Sequence, residues 1–277
     1  MRSGTGRAYL LFKYAIYLFM VFFTLFPLYW IVANSVRSSA EMLSSRLSWF
    51  PRQFTIANYA EAFGSQQLFI SFRNSLIVTG CTVVISVLVG LCMAYVFTRY
   101  RFRGLPVIRT TIIVTQFIPV VVFIIPLYLL MSELHLLNTH LSIIIAYLSL
   151  SIPIGTILLS SYLTDVSVDI EEAAKIDGCN TWQLFTRIIM PLIVPGLLST
   201  AIIMFVILWQ EFLIAVSFIS NEQLNTVPLF LTRYQGMYGT NWGGIMAASV
   251  IISVPGLFLF GLTRKFFINN LIGGVKG

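Results

Sequence analysis

The stretch Glu171–Pro191, EEAAKIDGCNTWQLFTRIIMP, decides how the rest of the sequence is read. It is polar and charged, in a chain of 277 residues that is 58% hydrophobic and only 10% charged. Five of the ten acidic residues lie in it or just before it: Asp165, Asp169, Glu171, Glu172 and Asp177. A soluble domain carries about 25% charged residues, so the chain reads as a polytopic membrane protein. Unpaired polar groups are costly in hydrocarbon, and this places the stretch in water, as a loop between two spans.

Local signals divide the loop into two short helices. Asp169 followed by Glu172 three residues later resembles a capping box, and acidic residues suit the positive end of a helix dipole. Ala173 and Ala174 favour helix, and Gly178 is the expected stop. Asn180 with Gln183 can begin a second helix. Its residues Trp182, Phe185, Ile188 and Ile189 are expected to share one face, lie along the membrane surface and lead into the span after Pro191. Spacing alone leaves the loop equally an ordinary amphipathic connection or a docking element.

Outward from the loop, spans need about 20 apolar residues each. Six are expected, at 14–34, 74–97, 107–131, 141–163, 192–218 and 243–262. The first exceeds a signal-peptide core of about 7–15 residues and reads as an uncleaved anchor. Twelve of the seventeen Lys and Arg fall on the side that holds both termini and the polar loop, which makes that side cytoplasmic. The expected organisation is a cytoplasmic N-terminus (1–13), a first span (14–34) and an extracytoplasmic segment (35–73). A permease-like core (74–262, with the polar loop at 165–191) and a cytoplasmic tail (263–277) follow. The net charge of +7 would suggest nucleic acid in a soluble chain, but its one-sided distribution is explained by orientation, and no nucleic-acid partner is expected. The short turn 98–106, TRYRFRGLP, belongs to the same basic side; its arginines could bind lipid phosphates, but simple orientation is the favoured reading. Within the second span, Thr82, Ser86, Gly90 and Ala94 form a stripe that permits close helix approach. Pro119, Pro126, Pro153 and Pro255 favour kinks.

Little chemistry is written into the chain. Cys81, Cys92 and Cys179 are too scattered for a disulfide framework or a zinc site. His135 and His140 share an outer turn without clustered carboxylates and read as solvated turn residues, so no metal is expected. No lysine follows a glycine, which excludes a phosphate-cradling P-loop, and no hydrolase motif is present. No catalytic residue is assigned. Glu211 is the one acid or base well inside an expected span. Two readings are open for it. It lies near a translocation path with Trp209, Gln210 and, from the third span, Gln116; or it ties two helices together by a hydrogen bond.

Glu172-Ala173-Ala174, three residues, Gly178, nine residues, then Ile188 and Met190-Pro191 resembles the EAA loop of ABC importer permeases, with Met190 where Leu is usual. Asp177-Gly178 fits the carbohydrate-uptake branch, and Trp49-Phe50-Pro51, Asn58-Tyr59, the run Trp209-Gln210-Glu211-Phe212 (with Gln210 where Asn is usual) and the ending Ile272–Gly277 resemble it too. The resemblance implies an all-α membrane protein with six transmembrane helices, of the type I ABC importer permease fold. It implies a coupling helix, carrying Glu171, Glu172, Ala173, Ala174, Asp177 and Gly178, that docks in a groove of a separate ATPase. There Glu172 would meet a cation or helix end, the alanines would allow close approach and Gly178 would set the bend. The implied partners are a homologous second permease subunit, a dimer of ABC ATPase subunits, an extracytoplasmic solute-binding protein and membrane lipid. No cofactor is bound by this chain; ATP and Mg would sit on the ATPase subunits. The implied work is alternating-access import of a di- or oligosaccharide, with glycerol phosphate esters as a rival substrate. An ion-coupled secondary transporter is the alternative class; it would usually show several intramembrane charges and an internal repeat.

Overall fold

A computed structural model describes the backbone of residues 4–44, 48–236 and 239–273, and side chains from Tyr9 to Leu262. Arg2, Arg46 and Lys276 of the charge reading, and the last four residues of the tail, lie outside the described residues. The principal helices are α1 (Gly4–Ser35), α2 (Gln66–Arg99), α3 (Leu105–Thr115), α4 (Val120–Glu133), α5 (His140–Thr164), α6 (Val168–Ile176), α7 (Thr181–Trp209), α8 (Leu213–Phe218) and α9 (Trp242–Gly273). Five are long and apolar enough to cross a membrane, and six spans result if the bent pair α3 and α4 counts as one.

Two expected spans are interrupted. The third breaks at Gln116–Pro119, and its halves α3 and α4 meet at 101°. Pro119 lacks an N–H and stands as the N-cap of α4, so helical bonding cannot pass through it. The fifth, expected at 192–218, instead begins at Thr181 and stops at Trp209. The second helix of the polar loop is thus the first turns of the span itself, not a separate surface helix.

The chain divides into two compact units, residues 67–230 with 255–277 and residues 1–66 with 231–254. In the larger unit, α2, α5 and α7 pack through small residues. Thr82, Ser86, Gly90 and Ala94 are all buried. A Cβ added at Gly90 would lie 3.1 Å from the Gly155 carbonyl carbon and the Thr156 nitrogen, so glycine permits the α2–α5 crossing. One turn away the hydroxyls of Ser86 and Ser151 lie 2.6 Å apart. A Cβ at Gly196 of α7 would fall 2.5 Å from the Tyr162 ring of α5. One apolar cluster joins Val78, Tyr147, Met204, Leu208 and Phe218; a second joins Leu91, Leu159, Leu163, Ala174, Leu184 and Ile189 at the polar loop.

The turn after α4 closes with His135 at φ 53°, occupying the left-handed position usually given to glycine. The segment after α8 is stitched to the start of α2. The Asn74 amide donates to the carbonyls of Gln223 (2.9 Å) and Asn225 (3.0 Å), and the Val227 N–H donates to the Ser75 hydroxyl at 2.8 Å.

The smaller unit is ordered around Arg37 and Asn58. Arg37 is buried, stacks its guanidinium 5.3 Å from the Trp30 ring centroid and lies 3.7 Å from Glu41. The Asn58 amide donates to the carbonyls of Ser35 (2.9 Å) and Arg37 (2.8 Å). A short hairpin pairs Gln235–Gly236 with Gly239–Thr240.

Candidate functional site

The polar loop begins with a cap two residues earlier than the sequence pattern suggests. Ser167, not Asp169, is the N-cap of α6, and its hydroxyl accepts the Asp169 N–H at 3.2 Å. Asp169 and Glu171 then occupy the first turn and Lys175 the last, as the helix dipole favours. At the other end Gly178 stands at φ +84°, where glycine avoids the Cβ penalty. The Gly178 N–H donates to Lys175 O at 3.1 Å and the Cys179 N–H to Ala174 O at 3.0 Å. Together these bonds make a Schellman motif that satisfies the last carbonyls of α6.

The second start signal is realised in full. The Asn180 side chain accepts the Gln183 N–H at 2.8 Å, and the Gln183 side chain accepts the Asn180 N–H at 3.0 Å. The next turn, Leu184–Ile189, is a π-helix. Its wider repeat brings Leu184 and Ile189, five apart, to the same buried face. Trp182 stands 73% exposed, outside the apolar cluster that Phe185, Ile188 and Ile189 join.

A buried ion pair holds α6 in place. Glu171 Oε1 accepts from Arg99 Nε at 2.6 Å, with the two side chains 2% and 9% exposed. The same guanidinium donates through Nη2 to the carbonyls of Leu163 and Val166, each at 2.9 Å, at the C-terminal end of α5. One arginine at the end of α2 therefore fastens α5 and α6 at once. The sequence offered Arg99 only as an orientation charge.

The expected coupling residues divide into two sets. Glu171 and Ala174 face inward, Ala174 joining the apolar cluster with Leu91, Leu163 and Ile189. The close approach expected of Ala174 is therefore made to this chain's own helices. Glu172, Ala173, Asp177 and Gly178 are exposed, as are Val168, Ile170 and Ile176, the last at 86%. Three exposed aliphatic residues on a nine-residue helix are a missed signal; their spacing in the sequence was there to be read.

The expected path residues are not gathered into one cluster. Gln116 is exposed at the break after α3. Trp209 is buried, its ring stacked on Phe205 at 5.2 Å and edge-on to Phe72 at 5.7 Å, while Gln210 is exposed. Glu211 sits in the break between α7 and α8. Its carboxylate accepts the Tyr147 hydroxyl at 2.9 Å, the Ile214 N–H at 2.9 Å and the Ala215 N–H at 3.3 Å. It thus caps α8 and ties it to α5, the geometry of the helix-tying reading. The carboxylate also borders a cavity of about 150 Å³ with Val120, Ser151 and Met204.

The fold of this chain has a solved counterpart. The fold superimposes on a chain of a bacterial ABC transporter involved in import of the acidic polysaccharide alginate. The TM-score is 0.81 and the identity 21%, covering 96% of this chain and 99% of that one. The architecture is that of an ABC importer permease. Residues 86–269 match the binding-protein-dependent transport system inner membrane component family, and the chain belongs to it. It is 35% identical to the sulfoquinovosyl glycerol transport system permease protein of Agrobacterium fabrum, over 91% of this chain and 89% of that protein. It is 31% identical to the diacetylchitobiose uptake system permease protein of Streptomyces coelicolor, over 91% and 92%. Membership in this family decides against the self-contained ion-coupled transporter.

Proposed function

We propose that this chain forms half of the pathway by which an ATP-driven, binding-protein-dependent importer admits a di- or oligosaccharide, and that α6 is its contact with a separate ATPase. The observation that carries this reading is the two-sidedness of α6. Its inner side is anchored by Glu171 and Ala174, while Glu172, Ala173 and Ile176 are presented outward. A short helix in that state can lie in a partner's groove, and its anchored side passes motion to α2 and α5. The sugar reading rests on the relatives, whose names specify glycosylglycerol and chitobiose-derived solutes.

The further partners in this proposal are a second permease subunit, a pair of ATPase subunits holding ATP and Mg, and an extracytoplasmic solute-binding protein. The chain itself binds no nucleotide, and its termini and α6 face the cytoplasm. Single cysteines at 172, 173 and 176 are expected to cross-link to the ATPase subunit in the assembled transporter. Labelling of those positions from outside intact cells would overturn the reading. Uptake assays of the reconstituted importer with a panel of oligosaccharides and glycerol phosphate esters test the substrate class; preference for the phosphate esters would sink the sugar assignment.

A further inference from the structure

A groove of about 560 Å³ opens beside the coupling loop, lined by Cys92, Tyr95, Val96, Tyr100, Phe102 and Trp182 among others. Its walls are aromatic. Tyr95 meets Tyr100 and Phe185 edge-on at 6.1 and 5.6 Å, and Phe102 and Trp182 are 49% and 73% exposed. Residues 100–102 are not helical. Along this run Tyr100 and Phe102 line the groove, whereas Arg101 and Arg103 alternate with them and are exposed. Among the described residues neither arginine has an acidic partner. No acidic residue lines the groove.

We propose that this groove is a binding site for an anionic phospholipid, one acyl chain lying against Tyr95, Val96 and Trp182 and the phosphate resting on Arg101 and Arg103. The charge pattern names the occupant: an apolar slot whose lining residues Tyr100 and Phe102 are neighbours in sequence of two exposed arginines complements a molecule with an apolar tail and an anionic head. Tyrosine and tryptophan at the rim suit the headgroup level of a bilayer, and clustered arginines select anionic lipid. The groove is shared by the end of α2 and the start of α7, so a lipid seated there touches the helix that follows the coupling helix and the one whose Arg99 holds it.

The test places a photoreactive benzophenone amino acid at position 102 of the full chain. The protein is held in nanodiscs of phosphatidylcholine with a minor share of phosphatidylglycerol, and the adducts are weighed by mass spectrometry. The ratio of phosphatidylglycerol to phosphatidylcholine adducts is expected to exceed the bulk ratio by about fivefold for each arginine. The double variant R101Q/R103Q, altered at exposed positions only, is expected to return that ratio to bulk. Water-soluble glycerophosphate is expected not to compete. Adducts in the bulk ratio, competition by glycerophosphate, or adducts to a partner polypeptide in the assembled importer would each overturn the proposal.

Discussion

Helix α7 is flanked by a carboxylate at each end, and the two are satisfied in opposite ways. Before its start, Glu171 meets a cation, Arg99, at 2.6 Å. Beyond its end, Glu211 meets, among the described residues, neutral donors: the Tyr147 hydroxyl and two backbone N–H groups. A buried ion pair is costly to break, because the surviving charge is stranded. A carboxylate held by neutral donors loses one hydrogen bond at a time. The first arrangement ties α2, α5 and α6 together through one guanidinium. The second fixes a short helix at a break in a span.

The sharpest way to break this contrast is Arg99→Met. It strands Glu171 and frees the carbonyls of Leu163 and Val166, and we expect a loss of about 3–5 kcal/mol in thermal denaturation in detergent. The double variant R99M/E171M is expected to recover most of it, while uptake stays low because α6 is no longer fastened by charge. Equal stability of the single variant and the parent would show that the pair holds nothing. At the other end, Tyr147→Phe removes one bond to a charged acceptor and should cost about 1.5–3 kcal/mol by the same measurement. A larger loss there than at Arg99 would invert the comparison.

Much of this was legible in the sequence where the cause is local. The capping pair Asn180 and Gln183, the stop at Gly178 and the stripe from Thr82 to Ala94 each act within a few residues, and each stands where its spacing places it. The six apolar stretches are likewise composition written into one dimension. The Arg99–Glu171 pair was not legible, because 72 residues separate its members and many arginines compete for the part. The π turn at Leu184–Ile189 was missed for another reason: it follows from packing Leu184 and Ile189 into a cluster built by other helices. The start of α6 was misread because Ser167 and Asp169 are both good caps, and the chain uses the first.

Gly178→Leu tests the bend rather than the fastening. Nothing lies within 4 Å of a Cβ at this position, so steric collision is absent and only the φ of +84° matters. A leucine there costs about 1–2 kcal/mol, and Gly178→Asn, which tolerates the left-handed region, should cost less. Membrane insertion is expected to be normal for both. In the assembled importer, ATP hydrolysed per sugar moved should rise for the leucine variant and less for asparagine. Normal uptake by the leucine variant would show that the bend is not needed.

The smallest effect is expected from Glu211→Gln. Glutamine keeps an oxygen for the Ile214 N–H and turns its amide toward Tyr147, whose hydroxyl can accept as well as donate. Only the weaker Ala215 bond, at 3.3 Å, has no replacement. The stability loss should therefore stay below about 1 kcal/mol, in the range of a single neutral hydrogen bond. If the carboxylate serves only to tie α8 to α5, uptake should follow stability and change little. If uptake collapses while the denaturation midpoint holds, the charge itself is acting on the solute or on the path beside the cavity that it borders. That outcome would set the two ends of α7 on an equal footing, each carboxylate needed for its charge, and would return Glu211 to the translocation pathway.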